Sequence, residues 1–182
     1  MSGRDLINIL IFTALTIGLG LFPPVDVPLI GVPITAQTLG VMLSGLVLGS
    51  WRGALSQMLM VGLVMAGAPL LAGGRGGFDI LLSPTGGFLL GWIPGAFVAG
   101  WLTEHRPSGW MRHLSAAVVG GVGLVYLIGV PWMVMVSGVP AQTAISGSAT
   151  FIPGDLIKAV MAAALALTVV HARPRCLVTG RS

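Results

Sequence analysis

One lysine, one tyrosine and one cysteine occur in 182 residues, and only 8% of the side chains are charged. An ordinary soluble domain carries about 25% charged residues, so that class is excluded. The lone Cys176 excludes an intrachain disulfide. No polar stretch is long enough to build a soluble domain, which leaves no room for a separate nucleotide-binding or catalytic unit. His105, His113 and His171 lack metal-ligand spacing, so no metal is expected. A Gly-x-Ser-x-Gly motif and a His/Asp cluster are also missing, which leaves little support for an intramembrane enzyme. The pI near 10.7 and net charge of +4 do not signal nucleic acid, because the basic residues are scattered over loop ends without interleaved aromatics.

What the chain does have is apolar length. Hydrophobic residues make up 55% of it and the mean hydropathy is +0.98, the balance of an integral membrane protein. At about 17 to 25 apolar residues per span, the sequence predicts an all-α bundle. One membrane domain over 1–182 would hold six transmembrane helices, near 6–22, 36–49, 54–68, 85–103, 114–136 and 153–170. The first apolar segment shows no small-x-small cleavage site before Pro23-Pro24, so it reads as a span and not as a cleaved signal. Pro23, Pro24, Pro28 and Pro33 stiffen the loop that follows it, and Ser137 to Thr150 reads as a polar loop. No internal repeat is visible, so a transporter built from two inverted halves is not supported. One set of loop ends holds Arg4, Arg52, Arg106, Arg112, Arg173, Arg175 and Arg181, and the other set holds only Arg75. By the positive-inside rule the termini are expected in the cytoplasm.

The single lysine lies inside the last apolar segment, in Phe151-Ile152-Pro153-Gly154-Asp155-Leu156-Ile157-Lys158. Ionisable groups within a membrane segment are candidate functional residues, and Asp155, three positions earlier, shares the helical face of Lys158. A self-neutralising pair at a helix end is the plain reading; a pair completed by a ligand is the functional one. Topology puts this pair on the outer side with the glycine-rich loop. Gly73-Gly74-Arg75-Gly76-Gly77 lacks the Gly-Lys-Ser/Thr ending of a phosphate loop, and its glycines suit close backbone approach to a small molecule. Arg75 has three readings: it meets an anionic substrate group, pairs with Asp79, or lies among lipid head groups. Tyr126, deep in an apolar helix, needs a partner or a ligand for its hydroxyl. The small-x-x-x-small pairs Ala14/Gly18 and Gly45/Gly49 permit close helix contact, either within the chain or with another membrane subunit.

Val32-Pro33-Ile34-Thr35-Ala36-Gln37-Thr38-Leu39-Gly40, Gly67-Ala68-Pro69, Ala72-Gly73-Gly74-Arg75-Gly76-Gly77, Pro84-Thr85-Gly86-Gly87-Phe88 and the octapeptide ending at Lys158 occur in this order. Together they closely resemble the BioY family of biotin transport proteins, over nearly the whole chain. The resemblance implies the substrate-capture (S) component of an energy-coupling-factor (ECF) transporter: a six-helix bundle in the bacterial cell membrane that binds biotin from the outer side. It also implies a transmembrane coupling protein and cytoplasmic ATPases as partners, with ATP used by them and no catalysis or cofactor in this chain. The helix 6 motif would bring Asp155 and Lys158 to the biotin head group; in the alternative, Lys158 or Arg75 takes the valerate carboxylate. The proline loop with Thr35 and Gln37, and the glycine-rich loop with Gly73, Gly74 and Arg75, would lie over the pocket. Biotin's apolar parts would suit Tyr126 and Phe78, and Ala14 and Gly18 would face a partner subunit. A solitary biotin carrier without an ATPase, and a non-transport membrane assembly protein, are the alternatives.

Overall fold

The computed structural model describes residues 2–25, 30–104 and 107–172. Asp26, Pro28, His105, Arg106, Arg173, Arg175, Cys176 and Arg181 lie outside the described residues, so their expected roles have no structural counterpart here.

The described chain is helical, with no strand among the described residues. Its helices are α1 (Gly3–Leu19), α2 (Gln37–Leu48), α3 (Ser50–Met65), α4 (Gly86–Thr103), α5 (Trp110–Ser137), α6 (Ala141–Ala149) and α7 (Ile152–Ala172). The middle of α5, Ala117–Leu124, is wound as a π-helix. Among the described residues, three helices, α4, α5 and α7, are long and apolar enough to cross a bilayer, and α2 is a shorter apolar helix.

Several boundaries differ from the sequence expectation for physical reasons. α1 ends at Leu19, and it begins at Gly3 because Ser2 and Asp5 form a reciprocal cap: the Ser2 N–H donates to Asp5 Oδ2 at 2.9 Å and the Asp5 N–H to Ser2 Oγ at 3.4 Å. α3 starts at Ser50, four residues earlier than expected, and ends at Met65. Glu104, at the end of α4, supplies its cap by accepting from the Ser50 N–H at 3.2 Å and the Ser50 hydroxyl at 2.5 Å. Gly49, with φ of 84°, makes the sharp α2–α3 turn in a conformation that favours glycine. The expected polar loop from 137 to 150 is largely the helix α6, which Pro140 opens at its N-cap position. α4 runs through Pro94 without a break.

α2 sits at the centre and is buried from Leu39 through Leu48, as an apolar helix without a polar face requires. It packs on α1, α3, α4 and α7. The approach of α2 to α4 depends on Gly45, where an added Cβ would meet Ala96 O and Ala99 Cβ. The Gly45/Gly49 spacing is thus used inside the chain. The Ala14/Gly18 spacing is not: Ala14 is exposed, and a Cβ added at Gly18 would meet nothing within 4 Å. α1, α2 and α3 are further joined by buried polar groups. Gln57 Nε2 donates to Ser44 Oγ at 3.0 Å and Thr16 Oγ1 at 3.3 Å, and the Thr13 hydroxyl donates to Ser56 O at 3.0 Å.

Candidate functional site

α7 opens with Ile152-Pro153-Gly154-Asp155, where proline costs nothing because the first helical N–H groups have no intrahelical acceptor. Phe151, just before it, is 5% exposed and anchors the entry by packing edge-on against Phe88 and Tyr126, with ring centroids 6.4 Å away in each case. That anchoring sets Asp155 in the first turn, 4% exposed, beside the start of α2.

Asp155 accepts three hydrogen bonds. Lys158 Nζ donates to Oδ1 at 2.8 Å, the Thr38 hydroxyl to Oδ1 at 3.1 Å, and the Tyr126 hydroxyl to Oδ2 at 2.5 Å. Lys158 spends its other two protons on Thr35 O at 2.6 Å and Thr38 Oγ1 at 3.0 Å. An ammonium has three donors, so this one is fully engaged. Thr38 both receives from Lys158 and gives to Asp155, which ties α2 to α7. A buried ion pair is tolerated where hydrogen bonds satisfy its remaining lone pairs and protons, and the threonines and the tyrosine do that here.

Asp155, Lys158, Thr35 and Tyr126 line one cavity with Thr38, Gln37, Arg75 and Thr85. Its apolar wall includes Phe88, Leu89, Trp92, Val125 and Phe151. The cavity volume is about 60 Å³ for the centres of water-sized groups, within about 580 Å³ of unfilled space that includes the open mouth. At ~10–15 Å³ for one such group, it holds several. A charged, hydrogen-bonded floor beside an aromatic wall suits a small ligand with a polar head and an apolar body.

The sequence-derived residues are not all at this cavity. Gln37 lines it but is already committed: Nε2 donates to Leu70 O at 3.0 Å and Thr16 O at 3.3 Å, and Oε1 accepts from the Ala72 N–H at 3.0 Å. Its visible role is to hold the glycine-rich loop against α1 and α2. Gly73 and Gly74 line a separate apolar groove with Pro23 and Pro24. Phe78, at the start of the short turn Phe78–Ile80, is 60% exposed and stands away from the cavity. Arg75 lines the cavity and donates through Nε to Ala72 O at 3.4 Å. Among the described residues the ion pairs are Lys158–Asp155 and Arg52–Asp5, so Asp79 is not the partner of Arg75. Thr38, Thr85, Phe88, Trp92 and Phe151 were given no site role by sequence reasoning. Only Thr38 carried a local signal, since Thr35 and Thr38 repeat the three-residue spacing of Asp155 and Lys158.

Comparison with known proteins decides the family, because the BioY family model matches residues 1–175. The chain belongs to the BioY family. It is similar to a protein of Rhizobium etli named "Biotin transporter BioY", 48% identical over 96% of this chain and 97% of that one. A protein of the same name from Rhodobacter capsulatus is 42% identical, again over 96% of this chain and 97% of its own length. Among solved structures, the crystal structure of "the S-component for biotin from an ECF-type ABC transporter" is similar. Its TM-score is 0.83 at 30% identity, over 96% of this chain and 95% of that chain.

Proposed function

We propose that this chain is the substrate-binding membrane subunit of a biotin uptake transporter, with transport driven by partner ATPase subunits. The observation that carries the reading is Asp155, a buried carboxylate collecting three donors beside Lys158 at the floor of an aromatic-walled cavity. Biotin's ureido ring offers two N–H donors and one carbonyl. As the ligand enters, its N–H groups take over the Asp155 lone pairs that Thr38 and Tyr126 hold in its absence, and its carbonyl takes the Lys158 proton given to Thr38, each in surroundings that strengthen polar contacts. The thiophane and valeryl parts lie along Phe88, Trp92 and Phe151. Thr35 and Gln37 hold the proline and glycine-rich loops over the cavity, and Arg75 meets the valerate. Gly73 and Gly74 shape the outer loop that brings Arg75 to the cavity.

In the bilayer the chain forms one membrane domain in the cell membrane. Six membrane-crossing segments, α1 to α5 and α7, leave the termini in the cytoplasm, and the cavity opens outward. The basic residues at one set of loop ends support that orientation. The subunit hydrolyses nothing itself; a transmembrane coupling protein and cytoplasmic ATPases are its partners. The apolar face of α1 supports a docking role: Ala14 is exposed between Leu10, at 49%, and the open Gly18.

The test is biotin binding to the purified, detergent-solubilised chain, with Asp155→Asn and Lys158→Ala beside it. Binding by the parent that both variants lose is the expected result. A parent that does not bind biotin, or variants that match it, would overturn the reading. Uptake in cells with and without the ATPase partners tests the coupling.

A further inference from the structure

Two loops meet at the cavity. Residues 32–35 line it from the proline loop, and Leu71 and Arg75 line it from the glycine-rich loop; the other lining residues lie on helices or at their starts. Each loop is closed on itself. Val25 and Ile34 exchange backbone hydrogen bonds at 3.0 and 2.8 Å across the first. In the second, the Leu71 N–H donates to Arg75 O at 3.0 Å and the Arg75 N–H to Leu71 O at 3.3 Å. Gly73 and Gly74 make that tight turn possible, with φ of 79° and 69°. Two such units shift as wholes, so whatever joins them governs the opening between them.

Gln37 makes that join. It is the first residue of α2, two positions after Thr35, and is 1% exposed. Its Nε2 donates to Leu70 O at 3.0 Å and to Thr16 O at 3.3 Å, and its Oε1 accepts from the Ala72 N–H at 3.0 Å. Among the described residues, the hydrogen bonds that tie 70–76 to another element all end on this one side chain. At the other end of the loop the Gly77 N–H donates to Val64 O at 2.8 Å, which fixes it to α3. Both amide protons of Gln37 are thus spent on the protein, and its effect on a ligand runs through the loop. Thr16 brings the last turn of α1 into the same knot.

A ligand beneath the two loops leaves only when they part, and parting them breaks the Gln37 bonds. Each such bond adds to the barrier for leaving. Opening segments of this kind commonly set rates of release.

We infer that Gln37 is a positioning residue that fastens the glycine-rich loop to the root of the proline loop and so sets how long the ligand stays. This rests on the biotin reading above and deepens it: Asp155 and Lys158 supply recognition, and Gln37 supplies residence time.

The experiment measures association and release of labelled biotin, and deuterium uptake, on the full-length, detergent-solubilised parent, Gln37→Met and Gly20→Ala. Methionine keeps the length of the side chain and removes all three bonds. Gly20 follows α1 and does not line the cavity, yet a Cβ there would stand 2.8 Å from both Gln37 Nε2 and Leu70 O. Gly20→Ala therefore pries the amide off the loop without touching the ligand. Release is expected to quicken about tenfold in Gln37→Met and about threefold in Gly20→Ala, with association within about twofold of the parent. Without biotin, deuterium uptake at 70–76 should rise in both variants while the peptide holding Asp155 and Lys158 matches the parent. A misfolded variant takes up deuterium throughout; if Gln37→Met does so, Gly20→Ala decides by the same readouts. Unchanged release in both variants, or a loss that lies in association, overturns the assignment of Gln37 and leaves the biotin reading in place. Faster release in Gln37→Met alone also overturns it, since a direct ligand contact would behave that way. A parent that does not bind biotin overturns both.

Discussion

Two ion pairs stand at opposite ends of this bundle and differ in everything but chemistry. Lys158–Asp155 closes at 2.8 Å with side chains 14% and 5% exposed, and Arg52–Asp5 at 3.0 Å with side chains 25% and 16% exposed. At the second pair, Asp5 also caps α1, so its carboxylate joins the starts of α1 and α3 and faces no ligand cavity. At the first, every proton of the ammonium is taken and the carboxylate has gathered two further donors at the floor of a cavity. The same pairing is a helix fastener where water reaches it and a recognition surface where a cavity meets it. Surroundings, not residue type, separate the roles.

The strongest way to break that contrast is Lys158→Ala. It leaves Asp155 buried without its cation, a change that costs about 3–5 kcal/mol in other buried pairs. The ligand also loses a charged donor, worth about 1.5–3 kcal/mol, so at about 1.4 kcal/mol per tenfold biotin affinity should fall by roughly tenfold to 100-fold. Isothermal titration of the solubilised chain measures it, and a thermal scan should show a lower midpoint as well. A variant that keeps the parent's affinity would reduce the pair to a structural fastener. Next in size is Tyr126→Phe, which removes one donor to Asp155 and keeps the ring against Phe88 and Phe151. A hydrogen bond to a charged group is worth about 1.5–3 kcal/mol, so the thermal midpoint should fall, while biotin affinity should drop only about threefold because Asp155 keeps its charge. Unchanged affinity would mean that Asp155 binds its ligand without help from α5.

How much of this could be read in advance follows the distance over which each feature is determined. Asp155 and Lys158 announce each other because three residues separate them on one helix, and an apolar sequence makes any charge conspicuous. The cap by Ser2 and Asp5 is equally local, and reading it would have placed the start of α1 correctly. α6 was hidden because Ser, Thr and Gly dominate Ala141–Ala149, and such a composition suggests a loop unless Pro140 is taken as a helix opener. The start of α3 was less accessible, since its cap comes from Glu104, 54 residues away. Phe88, Trp92 and Phe151 line the cavity through the packing of α4 on α2 and α5, which no local spacing encodes. Phe78 failed as a wall residue for the converse reason: its neighbours in sequence lie near the site, but its side chain faces outward.

The smallest expected effect sharpens the comparison from the other side. Asp5→Asn removes the charge that meets Arg52 and keeps an amide oxygen able to accept from the Ser2 N–H, so the α1 cap survives in part. Exposed pairs contribute little and are screened by salt, whose Debye length falls to about 3 Å at 1 M. The thermal midpoint should therefore drop slightly at low ionic strength, and the gap to the parent should narrow as salt is added. Biotin affinity should stay within about twofold at every salt concentration, because the Arg52–Asp5 pair lies at the far end of the bundle. Parallel thermal scans and titrations across a salt series measure both. A loss of affinity comparable to that of Lys158→Ala would show that the two ends are energetically coupled, and the division into fastener and recognition surface would no longer hold.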